Sequence, residues 1–294
     1  MVFTKHRLVV MIFPIIFSSL VLTSCQKTQD EVSQESTETV EVYNRDNLPS
    51  ELQELVDQGD AQAQTDLGSM YYQGTGVQQD YAKAVELYEK AASQGFADAQ
   101  SNLGLMYYQG TGVQQDYAKA VELYEKAASQ GLTQAQTNLG VMYENGRGVR
   151  QDDTKAVELY EKAVNQGAAE AQYNLGWMYY QGTGVRQDYA KAAELYGKAA
   201  NQGFAKAQYN LGWMYYQGVG IGKNYAKAVE WFEKAANQGH SSAQSNLGLM
   251  YYQGLGIGQD YAKAVEWFEK AANQGNAEAQ TNLRVMYENG TGVR

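Results

Sequence analysis

The chain has 294 residues, with 23 Lys and Arg against 33 Asp and Glu, one Cys, two His and two Pro. A net charge of −10 without a basic stripe excludes the Lys- and Arg-lined surface that nucleic acid requires. One Cys excludes an intramolecular disulfide, and so few His and Cys exclude a zinc centre built from them and leave a His-based triad unsupported.

Residues 1–24 read as an export signal. Lys5, His6 and Arg7 precede an apolar run from Leu8 to Leu22 that is broken only by Pro14, Ser18 and Ser19. A basic start, an apolar core and small residues before a cut describe a secretory signal. The run is short of the roughly 20 apolar residues of a spanning helix. It ends in Leu22-Thr23-Ser24-Cys25, which resembles the lipobox of bacterial lipoproteins. That resemblance implies cleavage before Cys25 and palmitate-type acylation of Cys25, with enough acyl CH₂ groups, at about 0.8 kcal/mol each, to hold a membrane firmly. Gln26 in place of Asp implies the outer membrane in preference to the inner one, in a lipid-anchored envelope protein.

Residues 26–47 are polar and acidic and cannot bury enough surface to offset the entropy of ordering. With Cys25 they are expected to form a disordered tether (25–47) of roughly 25 Å mean reach. Loss of residues 1–24 removes Lys5 and Arg7 but no acid, so 21 basic and 33 acidic residues remain. This balance also disfavours flat adsorption onto anionic lipid. Residues 48–60 then imitate the second helix of a pair, with a capping-box pattern at Ser50 and Gln53. They are expected to form an N-terminal capping helix over residue 61 onward.

From residue 61 the chain repeats every 36 residues, with units starting at 61, 97, 133, 169, 205, 241 and 277. In the first unit Ala63, Leu67, Met70 and Tyr71 keep helical spacing, then Gly74 and Gly76 interrupt it. Asp80 is a candidate N-cap, Tyr81, Ala84, Val85, Tyr88, Ala91 and Ala92 are helical again, and Gly95 ends the pattern. Each unit is thus expected to be helix A (about 61–73), a short loop and helix B (about 81–93). The seventh unit reaches only its helix A and carries Arg284 where the other six have Gly68, Gly104, Gly140, Gly176, Gly212 and Gly248. That glycine is read as allowing close approach of the paired helix. Constant-period stacking gives an extended surface in place of a single pocket.

The signature Ala-Xaa-Ala-Gln-Xaa-Xaa-Leu-Gly-Xaa-Met-Tyr-Xaa-Xaa-Gly-Xaa-Gly-Val, followed by Asp-Tyr-Xaa-Lys-Ala and Lys-Ala-Ala-Xaa-Gln-Gly, resembles the Sel-1-like repeat, a relative of the tetratricopeptide repeat. The resemblance covers residues 61–294, with departures at Asp153-Thr154, Gly197 and Arg284. It implies an all-α, right-handed solenoid of about 6.5 helix-turn-helix units, and a role as an adaptor. Some cysteine-rich members of that family are linked to penicillin binding, but the single Ser-Xaa-Xaa-Lys here, Ser24 to Lys27, spans the expected cleavage point and no Lys-Thr-Gly occurs after it. The expectation is a non-enzymatic protein without cofactor or metal.

The glycine loops such as Gly110-Thr111-Gly112-Val113 come after a helix and lack a GxxxxGK[S/T] pattern, so they read as turns and not as phosphate cradles. Glu86 with Lys90, and Glu122 with Lys126, read as i,i+4 surface pairs. Trp231-Phe232 and Trp267-Phe268 replace Leu-Tyr, beside loops changed to Gly-Ile-Gly, which duplication of one unit explains.

The second, fifth and ninth positions of helix A vary most. On a wheel the fifth and ninth lie opposite Ala63 and Leu67 and are expected to look away from helix B, onto a concave wall. There Tyr173, Trp177, Tyr209 and Trp213 form an aromatic block, extended by Tyr180 and Tyr216 with Asn174 and Asn210 at its edge. Glu144 and Glu288, where other units have Tyr, would give the wall an acidic edge. Exposed aromatics of this kind mark binding surfaces. The expected partner is a protein or peptide; a cell-wall glycan stacked on the same rings, or a truncated array without a present task, are the alternatives.

Overall fold

The computed structural model describes residues 50–292, so the expected signal, Cys25 and tether lie outside the described residues. The described chain falls into two compact units, one ending at Gln166 and the other starting at Gly167. Every regular element among the described residues is an α-helix.

The first unit opens with α1 (Ser50–Asp57), then three pairs: α2 (Ala61–Gln73) with α3 (Tyr81–Ser93), α4 (Ala97–Gln109) with α5 (Tyr117–Ser129), and α6 (Thr133–Asn145) with α7 (Asp153–Asn165). The second contains α8 (Ala169–Gln181) with α9 (Tyr189–Asn201), α10 (Ala205–Gln217) with α11 (Tyr225–Asn237), α12 (Ser241–Gln253) with α13 (Tyr261–Asn273), and α14 (Ala277–Glu288). Helices A and B of the first repeat run over the expected 61–73 and 81–93. Near the start of α1 the Gln53 amide donates to Asp57 at 2.8 Å.

The helix limits come from the cap chemistry. Asp80, Asp116, Asp152, Asp188, Asn224 and Asp260 each accept a bond from the backbone N–H three residues on, satisfying a donor that has no partner inside helix B. Gly74 ends α2 in the left-handed region at φ 73°, and Gly95 closes α3 at φ 86°. The second loop glycine has a separate reason. A Cβ on Gly112 would lie 2.7 Å from the Tyr81 carbonyl oxygen, so the loop of one repeat rests on the start of helix B of the repeat before it.

Two rows hold each pair together. Opposite the helix A glycine stands a fully buried ring from helix B: Tyr124, Tyr160, Tyr196, Phe232 or Phe268 in the later repeats. Beside it runs a polar ladder. Buried Gln64 accepts from the Gln94 amide at 3.0 Å, and the same amide reaches the Gly59 carbonyl at 2.9 Å. Gln130 repeats this on Gln100 (2.9 Å) and Gln202 on Gln172 (2.8 Å). A buried amide left unpaired would cost about 1–3 kcal/mol, so the ladder explains why Ala-Gln and Gln-Gly recur in step.

The surface pairs form as expected, Lys90 to Glu86 at 2.7 Å and Lys126 to Glu122 at 2.6 Å. Glu144 does not make an acidic edge. Its carboxylate turns inward and accepts from the Tyr160 hydroxyl at 2.6 Å, because the shorter side chain leaves room under the ring row. Glu288 is exposed, 4.0 Å from Arg284.

Candidate functional site

The expected aromatic residues all belong to α8 and α10 of the second unit, and all are half-buried. They do not form one continuous wall. Tyr173 and Tyr209 were expected to look away from helix B, but each ring lies 5.8 Å from a ring of its own helix B, Tyr196 and Phe232 respectively. The physical reason is that helix A is flanked by its own helix B and by the next repeat, so the fifth position falls into the seam. Tyr173 also packs on Phe204 at 5.2 Å, and Tyr209 stacks on His240 at 4.6 Å.

Between α8 and α10 a cleft of about 300 Å³, open to solvent, is lined by Trp177, Tyr180, Tyr196, Tyr209, Asn210 and Trp213, with Met214 among its lining. Trp177 stacks on Tyr180 at 6.0 Å, and Tyr180 meets Trp213 edge-on at 6.3 Å across the seam. The Trp213 Nε1 is buried and has no hydrogen-bond partner among the described residues. Five of the expected residues therefore converge. Tyr173 lies beyond the cleft, Asn174 is half-buried outside its lining, and Tyr216 faces a second depression with Phe232, Asn246, Leu249 and Met250.

Tyr196 is a lining residue that no sequence pattern singles out, since it belongs to the same row as the purely internal rings. Its hydroxyl stands by Asn210, and burial pushes its pKa far above the ordinary phenol value. Burial raises Tyr180 as well, with Tyr189 adding to it, and takes Tyr209 to about 12. The cleft thus presents neutral rings, phenol hydroxyls, one amide and two buried groups without a partner among the described residues, the Trp213 indole N–H and the Tyr196 hydroxyl. It suits an apolar group that carries a hydrogen-bond acceptor.

Among the described residues no three His, Cys, Asp or Glu side chains are placed to hold a metal ion, and no helix is long and apolar enough to cross a membrane. Stacked helix pairs, glycine-to-ring packing and a cleft between neighbouring A helices define an all-α solenoid of about six and a half repeats. The chain belongs to the Sel1 repeat family, whose model matches residues 61–96, 97–132, 133–167, 169–204, 205–240, 241–276 and 277–294. Sel1 repeat proteins generally serve as protein–protein interaction scaffolds.

Among solved structures the chain is similar to c5321, a protective antigen present in uropathogenic Escherichia coli strains displaying an SLR fold, at 41% identity and a TM-score of 0.77. That match covers 84% of this chain and 52% of c5321, so the chain spans about half the length of that relative. It is also similar to a Sel1 repeat protein from Oxalobacter formigenes, at 35% identity and a TM-score of 0.68, over 73% of this chain and 86% of the other. No curated protein sequence matches the chain significantly.

Proposed function

We propose that this protein is a non-enzymatic scaffold that docks a protein or peptide over the α8–α10 cleft. The observation that carries the reading is the Trp213 indole N–H, buried without an acceptor at a cleft walled by Trp177 and Tyr180. An unfilled buried donor costs free energy until an acceptor reaches it, and a peptide carbonyl beside an apolar side chain supplies both needs. The adaptor role general to Sel1 repeat proteins supports the same reading.

Anchoring at Cys25 belongs to the proposal and rests on Leu22-Thr23-Ser24-Cys25 with the apolar run before it. It puts the scaffold in the bacterial envelope, with the outer membrane preferred. The likeness to a protective antigen supports a location reachable from outside the cell.

The test is capture from native envelope with the wild type and with the double variant Trp177→Ala, Trp213→Ala. The variant should lose the partner while it stays folded and helical, at some cost in melting because Trp213 packs on the core of its own and the neighbouring repeat. Unfolding of the variant would make the indoles core residues and remove the site. Retention by purified cell-wall glycan alone would replace the peptide reading with a carbohydrate one. Acyl labelling that persists in Cys25→Ala would overturn the anchor.

A further inference from the structure

The eleventh residue of each repeat is a tyrosine, and in several seams it bridges two charges. Tyr107 donates to Glu89 of the preceding helix B at 3.4 Å and accepts from Lys119 of its own helix B at 3.0 Å. Tyr143 donates to Glu125 at 2.9 Å and accepts from Lys155. Tyr287 donates to Glu269 at 2.7 Å. At Tyr251 the Glu233 carboxylate stands alongside, with Lys263 at 5.3 Å from the ring centre.

The seam between α9 and α10 keeps two of these three parts. Tyr215 is present and Lys227 lies 5.2 Å from its ring centre, but the carboxylate position is Gly197. A Cβ at Gly197 would meet nothing within 4 Å, so the space is open. Tyr215 is half-buried, as Tyr179 is, whereas Tyr107, Tyr143 and Tyr251 are buried. The nearby Glu194 is taken by Lys191 and Lys198, at 3.2 and 2.7 Å. Among the described residues no carboxylate pairs with Lys227 or with the Tyr215 hydroxyl.

We propose that the notch at Gly197 is a carboxylate-binding position, filled by an Asp or Glu side chain of a partner protein. The occupant's chemistry is set by charge complementarity: at Tyr107 and Tyr143 a carboxylate accepts from the tyrosine hydroxyl within reach of the helix B lysine, and at Tyr251 one stands alongside. A neutral amide would offer the acceptor but not the charge complementary to Lys227. The notch is separate from the aromatic cleft, because Tyr215 and Trp213 are two residues apart and so about 200° apart around α10. The proposal therefore stands whether or not a peptide docks at Trp213.

The test is an NMR titration of the full chain with acetyl-Gly-Glu-Gly-amide, and with acetyl-Gly-Gln-Gly-amide as the uncharged control, tracking the Tyr215 and Lys227 side-chain signals. A single exposed charge pair predicts a weak, concentration-dependent shift for the Glu peptide only, with a dissociation constant of the order of 200 mM or weaker. Gly197→Glu should fill the notch from within and weaken that response at least about tenfold, as a competing intramolecular group does. An equal response to the Gln peptide, or an unchanged response in Gly197→Glu, would overturn the proposal.

Discussion

A methyl group placed on Gly140 would lie 2.6 Å from the Tyr160 ring, closer than a carbon atom can approach. Tyr160 is fully buried and its hydroxyl is tied to Glu144, so the ring has no free direction in which to give way. The same relationship recurs at Gly176 with Tyr196 and at Gly248 with Phe268. Arg284 occupies the equivalent place in α14, where its side chain is 71% exposed.

Gly140→Ala is accordingly expected to destabilise. Overpacking of a fixed core costs about 1–3 kcal/mol, against about 1 kcal/mol that alanine gains in helix propensity. Gly197→Ala meets open space and should show only the second effect, a gain of about 0.5–1 kcal/mol. Denaturant unfolding of the two variants should move in opposite directions.

Glu144 carries a pH dependence of stability. Its pKa is raised, chiefly by burial and further by the Asp153 charge, while the Tyr160 hydrogen bond pulls it down. A carboxyl whose pKa is higher in the folded than in the unfolded state binds its proton more readily when folded. It therefore costs nothing below the unfolded value and destabilises progressively as pH rises from there through the folded value. Glu144→Gln keeps an acceptor for Tyr160 and removes that cost, so its melting advantage over wild type should be larger at pH 7 than at pH 4.

His240 has the opposite dependence. Burial first, and the Lys206 charge second, bring its pKa down to about 4. Its neutral Nδ1 accepts from the Ala243 backbone N–H at 3.3 Å and so caps α12. Stability from a histidine kept neutral is complete above the unfolded pKa near 6.5 and is lost as pH falls from there towards 4. The loss amounts to about 3 kcal/mol if the whole shift is expressed. Asn276 does the same capping at the start of α14 at 2.9 Å without a titrating group. His240→Asn should keep the cap and flatten the melting temperature between pH 6.5 and about 4.

The helix limits were readable because they depend on neighbours in the chain: Asp80 as a cap, Gly74 and Gly95 as left-handed stops. The glycine opposite the buried ring was readable too, because six copies of Gly differ from Arg284. The direction of Tyr173 and Tyr209 was not. A wheel shows which face of one helix a side chain occupies, but not that the next repeat closes over that face. Trp231 and Ile221 illustrate the same limit. Their linked change has a shared setting, both side chains pressing on the core around Ala192 and Tyr196, which no local pattern reveals.

The order of residues alone determined the period, the two helices of each repeat and the family, since each depends on spacing along the chain. Which aromatic side chains share a cleft, which carboxyl turns inward and which tyrosine lacks its acid were decided only when separate repeats came together. Those outcomes depend on burial and on distances between groups tens of residues apart, and on whether each polar atom meets a partner there.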